Sequence, residues 1–393
     1  MTNLSRRGRS RLRILSLGAV AALALSACSG GVTGGGGDEG TEEGPIRLGM
    51  LAPFSGSEAA FGPYMKNGAQ MAIDEINEAG GVLGRDLELV TEDDACDATS
   101  ATAAANKLIT SGIVASVGGY CSGATLPTLP IFSGAGVPMV IPAANSNQLV
   151  DADENGVFLI NGTGDQQAQA ALKWAEKQGV KRLALVDDNT DYSADLADAV
   201  AEQADGTGIE VVLEESVTAG ESDYSANVNS ILSADPDMVY WTGYYQEGGL
   251  IAAQLASAGY DGELLVADGT VDAKFSEIAG AAAQGVEGTF TQTPDMLEGA
   301  DDWISKYTEL YGEGPGPYST QAYDAVRVVA EGIKQADSTD SEAVIKAIQD
   351  IDGLELFSGP LKFTEDGTLS EGGFAIVEVG PDGAFVLKDD LQS

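Results

Sequence analysis

The sequence predicts an α/β protein of two lobes, built on parallel sheets with helices on both faces. Three observations carry this. Strand-like apolar runs alternate with segments of helical periodicity along the body, the pattern of crossover units. The body, about 350 residues, exceeds what one hydrophobic core ordinarily organises. Turn residues, aromatics and acids also collect just after the strand-like runs, where open α/β sheets bind ligands.

The elements follow in order. Ile46–Leu51 reads as a buried strand. Met65, Ala69, Ala72, Ile73 and Ile76 recur at helical spacing, and Gly80-Gly81 ends that helix. Asp86–Thr91 is strand-like, and Ala101, Ala104, Ala105, Leu108 and Ile109 mark a second helix. Further strands are expected at Ile113–Val117, Pro138–Ile141, Arg182–Val186, Ile209–Leu213, Met238–Trp241 and Leu264–Ala267. Helices are expected from Gly123, over Gln166–Gln178 and over Ala194–Gln203. The helical stretches Trp303–Tyr311, Ala322–Gln335 and Glu342–Gln349 are expected to complete the layers of the first sheet. Spacing alone puts a single boundary near Gly162-Thr163-Gly164.

The N-terminus has its own logic. Arg6, Arg7, Arg9, Arg11 and Arg13 precede an apolar run from Ile14 to Leu25, then Ser26-Ala27-Cys28. A basic head, an apolar middle and a small-residue exit describe an export leader over residues 1–27. The apolar part falls short of the ~20 residues of a membrane span. Ser29–Gly44 is rich in glycine and acids without apolar periodicity, so residues 28–45 read as a flexible tether.

Composition excludes several functions. Lys and Arg number 20 against 61 Asp and Glu, a net charge of −41. Such a chain repels nucleic acid and anionic headgroups. It is no acidic disordered chain, because 44% of its residues are hydrophobic. It contains no histidine, which removes the commonest general base and the commonest metal ligand. Asp151–Gly156 starts like a calcium loop, but Gly162 stands where a bidentate Glu is needed; an ordinary acidic loop is the simpler reading. Asp93 and Asp94 are adjacent, so on a strand they point to opposite faces and do not form a paired-acid catalytic site. No cofactor is implied, and a binder is preferred over an enzyme.

Two constellations stand out. Cys96 and Cys121 each follow a strand-like run. If those strands are neighbours, the two lie on one edge, and a bridge would close a loop of about 25 residues; the alternative is a pair of free thiols. Gly118-Gly119-Tyr120-Cys121-Ser122-Gly123 forms a turn into a helix. There Ser122 either caps the helix or helps its N–H groups hold a ligand carboxylate. Tyr192, Tyr244 and Asp268 stand at strand ends of the second half and describe an opposite wall.

Taken together, the residues are identifiable. Gly49-Met50-Leu51-Ala52-Pro53-Phe54-Ser55-Gly56, Ala79-Gly80-Gly81-Val82-Leu83-Gly84, Asp93-Asp94-Ala95-Cys96-Asp97 and Tyr120-Cys121-Ser122 resemble the leucine/isoleucine/valine-binding proteins. So do Ile141-Pro142-Ala143-Ala144, Tyr240–Tyr244, Ser276–Gly280 and Ser358-Gly359-Pro360-Leu361. The likeness runs from Ile46 to about Leu387.

It implies a type I periplasmic-binding-protein fold: two discontinuous lobes, each a mostly parallel sheet flanked by helices, joined by three crossings. These fall near Thr163, Phe290–Thr293 and Thr364–Gly367, giving one lobe from 46–163 and 291–366 and the other from 164–290 and 367–393. The resemblance implies that Ser122 holds a ligand carboxylate and Ala143 adds backbone contacts. Tyr192 and Tyr244 would close over the ligand, and Asp268 would meet its ammonium in place of the usual glutamate. Asn145 replaces a frequent threonine and Phe61 a common tyrosine; Phe61, Tyr120 and Tyr318 would line the side-chain pocket. It further implies a monomer that delivers an amino acid to an ABC permease; separately, Ser26-Ala27-Cys28 resembles the bacterial lipobox, which implies a lipid anchor on Cys28 outside the cytoplasm. A branched-chain amino acid is the implied ligand, with another small amino acid or amide, or a ligand-sensing role, as alternatives.

Overall fold

The computed structural model describes residues 44–291, 297, 299–370 and 373–391. The leader, Cys28 and the tether up to Glu43 lie outside them.

Five strands form the first sheet: β1 (Ile46–Ala52), β2 (Leu87–Asp93), β3 (Ala115–Ser116), β4 (Met139–Ile141) and β5 (Val157–Leu159). Their order is β2-β1-β3-β4-β5, all parallel. The second sheet contains β6 (Arg182–Asp187), β7 (Glu210–Ser216), β8 (Met238–Trp241), β9 (Glu263–Val266) and β10 (Glu287–Phe290). A separate hairpin pairs β11 (Asp352–Leu356) with β12 (Gly359–Lys362). The second sheet then gains β13 (Ala375–Val379) and β14 (Phe385–Asp389), both antiparallel.

Read from β7, the second sheet runs β7-β6-β8-β9-β10 before those additions. This repeats the order of the first sheet. Each lobe therefore has one switch point, β1/β3 in the first and β6/β8 in the second, where crossovers leave in opposite directions and open a crevice.

The helices are α1 (Phe61–Glu78), α2 (Ala98–Thr110), α3 (Ser122–Thr125), α4 (Leu129–Gly134), α5 (Gln148–Asp151), α6 (Gly164–Gln178) and α7 (Asp191–Ala204). They continue with α8 (Ser225–Ala234), α9 (Tyr245–Ala258), α10 (Ala273–Ala279), α11 (Asp301–Tyr311), α12 (Ser319–Ala336) and α13 (Ser341–Gln349). The late helices pack beside the first sheet, α12 against α1 and α13 against α12. Ala322, Ala325, Val326, Val329 and Ile333 give α12 a buried stripe. That helix lies so close to α1 that a Cβ on Gly68 would stand 2.0 Å from the Ser319 carbonyl oxygen. Only glycine fits there.

Local chemistry sets the boundaries. Thr163 and Gln166 form a reciprocal capping box that starts α6, and Gly179 ends it at φ 81°. The helix expected from Gly123 is broken instead into α3, a 3-10 turn (Leu126–Thr128) and α4. Pro127 and Pro130 lack the N–H that a continuous helix needs there. Cys121, not Ser122, occupies the N-cap, and no side chain caps the turn.

The chain passes from the first sheet to the second between β5 and α6, and returns after β10. The third passage comes later than Thr364–Gly367. That segment folds back on the first lobe: Leu159 N–H donates to the Gly367 carbonyl, 2.9 Å, and Ser370 N–H to Lys362, 2.9 Å. Ala375 then opens β13 in the second sheet. Among the described residues, no helix is long and apolar enough to cross a membrane. Nor does any group of three or more His, Cys, Asp or Glu there fit a metal ion.

Candidate functional site

The residues singled out in the sequence converge at the carboxyl ends of the strands. Phe61 follows β1, Tyr120 and Ser122 follow β3, and Ala143 and Asn145 follow β4. Tyr192 follows β6, Tyr244 follows β8 and Asp268 follows β9. These eight and Tyr318, at the head of α12, are all buried. The lobes are closed on each other, so both walls meet.

Asp268 is the centre of the polar network. It accepts hydrogen bonds from the Tyr192 hydroxyl, from Tyr318 at 2.6 Å, from Gln167 Nε2 at 2.9 Å and from Asn145 Nδ2 at 3.3 Å. Burial raises its carboxyl above the usual carboxylate range, and the bonds from Tyr192, Tyr318 and Gln167 pull against that rise. Asn145 and Tyr318 come from the first lobe, so Asp268 ties the lobes together. A cation placed here would meet a desolvated acid already oriented for it.

The partners are set in turn by their own elements. Thr190 caps α7 and thereby sets Tyr192 in its first turn. Trp241 Nε1 donates to the Tyr244 carbonyl at 3.0 Å, and Tyr244 N–H donates to Asp188 at 3.2 Å. Asp188 also accepts from Thr190 Oγ1 at 2.7 Å, so one buried acid joins the ends of β6 and β8. Burial raises its carboxyl, against the hydrogen bonds from Thr190 and Tyr244. Tyr318 takes φ 62°, a left-handed conformation that is uncommon outside glycine.

The opposite wall is the turn after β3. Ser122 is 1% exposed, and its Oγ accepts from Ser146 N–H at 3.3 Å. It is a loop clasp rather than a helix cap. The Ala143 carbonyl accepts from Asn161 Nδ2 at 2.7 Å. Across the cleft, a Cβ on Gly123 would stand 2.6 Å from Asp191 Oδ2, so the turn lies directly against the start of α7. Aromatic rings fill the flank. Phe61 stacks on Tyr120 at 4.4 Å, and Tyr120 meets Tyr318 edge-on at 5.6 Å. Tyr244 lies 6.1 Å from Tyr120 and 5.3 Å from Tyr192.

Cys96 and Cys121 are joined in a disulfide, with their Cα atoms 5.4 Å apart. Their strands are not direct neighbours: β1 lies between β2 and β3. The bridge spans it at the carboxyl edge. Asp93 and Asp94 diverge as adjacent residues should. Asp93 binds the loop after β1 through Ser55 Oγ at 2.6 Å, and buried Asp94 accepts from Cys96 N–H at 2.9 Å.

Sequence reading missed Gln167, Thr289 and Tyr240. Gln167 Nε2 also donates to Thr289 Oγ1 at 2.9 Å, which meets the Tyr240 hydroxyl at 2.9 Å. The signal was present: Gln167 is a polar residue on the apolar face of α6, beside Ala168, Ala171 and Leu172.

The sequence matches the Periplasmic binding protein family over residues 45–384. The chain belongs to that family. Among its binding-protein relatives, a Leu/Ile/Val-binding protein of Rhizobium johnstonii is 36% identical over 337 residues, covering 84% of this chain and 90% of that protein. The leucine-, isoleucine-, valine-, threonine- and alanine-binding protein of Pseudomonas aeruginosa is 32% identical, covering 85% and 89%. Among solved binding proteins, the leucine binding protein LivK from Thermotoga maritima superposes with a TM-score of 0.80 at 28% identity, covering 87% of this chain and 97% of that one. The substrate binding protein LivJ from Streptococcus pneumoniae, in complex with isoleucine, gives 0.77 at 27% identity, covering 88% and 100%. The chain thus shares the type I periplasmic-binding-protein architecture with these solved proteins.

Proposed function

We propose that this periplasmic binding protein captures an amino acid of branched-chain size between its lobes and hands it to an ABC import permease. The observation that carries the reading is Asp268, a buried acid held by donors from both lobes. In this reading the ligand's ammonium meets Asp268, and its carboxylate meets Ser122 with nearby backbone N–H groups. Tyr192 and Tyr244 close over it, Ala143 and Asn145 line the first lobe, and Phe61, Tyr120 and Tyr318 wall the side chain. The names of the relatives, which bind leucine, isoleucine and valine, support the same class.

Both charges of a zwitterion leave water on closure, so each needs a partner of its own. No step of bond chemistry is required of the site. We further propose that Cys28 carries a lipid that keeps the binder near its permease. A thermal-shift screen against the common amino acids tests the ligand class. A ligand at 100 times its dissociation constant should stabilise by about 2.7 kcal/mol; leucine, isoleucine and valine should rank among the largest shifts, and no shift with any amino acid would reject the reading.

A further inference from the structure

A second buried acid faces the same cleft with an oxygen unused. Glu58 follows β1 on the loop that leads to Phe61, and it is 2% exposed. Its Oε2 meets no hydrogen-bond partner among the described residues. The same is true of the Tyr120 hydroxyl, whose ring stacks on Phe61. The two groups lie within electrostatic reach of each other. Glu58 is the foremost acid acting on the hydroxyls of Tyr120 and Tyr245, and it also acts on Tyr244. The loop is pinned there from the second lobe, since the Tyr245 hydroxyl and Gln246 Nε2 both donate to the Ser57 carbonyl.

This wall is chemically odd for a purely aliphatic side chain. A methyl group would leave both polar atoms buried and unpaired, which costs free energy at each. Tyr318 links the wall to the ammonium site: its hydroxyl bonds Asp268 at 2.6 Å, and its ring lies 5.6 Å from that of Tyr120. Tyr318 thus touches both the Asp268 carboxylate and the ring of Tyr120.

We propose that Glu58 and Tyr120 form a polar side-chain subsite. It lets the cleft take amino acids that end in a hydroxyl or a primary amide as well as their apolar isosteres. The proposal rests on the amino-acid reading above and adds to it a specificity-determining residue. The groups around Glu58 favour a neutral side chain over a cationic one. Burial is the main influence on its carboxyl; Ser57 hydrogen-bonds it, and Glu247, Asp188 and Asp272 add negative charge, which raises it to about 8. A protonated acid both donates and accepts, as do a hydroxyl and an amide. A pocket that pairs such a group discriminates against ligands that leave it unpaired.

Calorimetry at pH 7 with two isosteric pairs, threonine against valine and asparagine against leucine, tests this. The wild-type protein should bind threonine and asparagine with affinities within tenfold of their partners. Glu58→Leu should shift both ratios at least tenfold toward valine and leucine. Tyr120→Phe keeps the ring stack and should shift them the same way by a few fold. The proposal is overturned if valine and leucine bind while threonine and asparagine do not, or if both variants leave the ratios within twofold. Tight binding of ornithine that disappears in Glu58→Gln would overturn the neutral class in favour of a cationic one. Binding of none of these ligands would instead overturn the amino-acid reading itself.

Discussion

Tyr318 of the first lobe donates its hydroxyl to Asp268 of the second at 2.6 Å. One hydrogen bond thus joins the residue at the head of α12 to the acid after β9, across the cleft. Its two partners lie on different lobes, so it favours closure directly. A hydrogen bond to a charged group is worth about 1.5–3 kcal/mol. Tyr318→Phe should weaken ligand binding about 10- to 100-fold and leave folding intact. Calorimetry checks the first and circular dichroism the second. Scattering should show a more open average shape in the variant.

The disulfide should matter for binding as well as for stability. Cys121 precedes Ser122 in the chain, and the bridge anchors that turn to the end of β2. Its sequence separation is 25, worth about 3–4 kcal/mol in the chain-entropy model. Cys96→Ser with Cys121→Ser should lower the urea stability by that order. Ligand affinity of the still-folded variant should also fall; equal affinity would separate the bridge from the site.

Stability should decline as pH rises from 5 to 8. Burial is the largest influence on Glu58, raised to about 8, and on Asp94 and Asp324, each raised to about 6. The folded chain therefore holds protons that the unfolded chain has already released. That stabilisation is complete below the unfolded values and is lost as pH climbs through the folded ones. The slope is up to about 1.4 kcal/mol per pH unit for each group. It should be steepest between pH 5 and 6, where all three groups contribute, and shallower up to 8. Asp188, Asp268 and Asp272, also raised by burial, act in the same sense. Asp97, lowered by its hydrogen bond from Ser100, acts only in more acid solution. Urea titrations across pH check the trend, and Glu58→Gln should flatten its upper half.

The close approach of α1 and α12 gives a sharp structural test. Gly68→Ala would drive a Cβ into the Ser319 carbonyl. Backbone cannot yield as a flexible side chain does, so a loss of about 1–3 kcal/mol or more is expected. Thermal unfolding measures it. Because Ser319 adjoins Tyr318, ligand affinity should fall too.

Most of the parallel architecture was legible because its strands are continuous apolar runs between helices of clear periodicity. Met238–Trp241 was read with its observed ends. What escaped has physical causes. Val157–Leu159 has only three residues, and Glu287–Phe290 contains Gly288 and Thr289, so neither makes a strong run. Helix α9 hides behind Gly248-Gly249, which stand where the Trp241 ring and Ile278 leave no room for a Cβ. The residues at strand ends could be listed from sequence, whereas Gln167, the donor that reaches Asp268 from α6, left only the fainter signal of a polar residue on an apolar helix face. Glu58 sits in a loop without periodicity, and only its burial marks it out.

In the proposed binding mode Asp268 holds the ligand's ammonium, and calorimetry on Asp268→Ala is the measurement that decides it. With leucine, isoleucine or valine, whichever the wild-type protein binds, removing one partner of a buried charge pair should cost about 2–5 kcal/mol. That is a loss of affinity of at least about 30-fold, in a protein whose circular dichroism is unchanged. An affinity equal to that of the wild type would mean that Asp268 does not hold the ammonium.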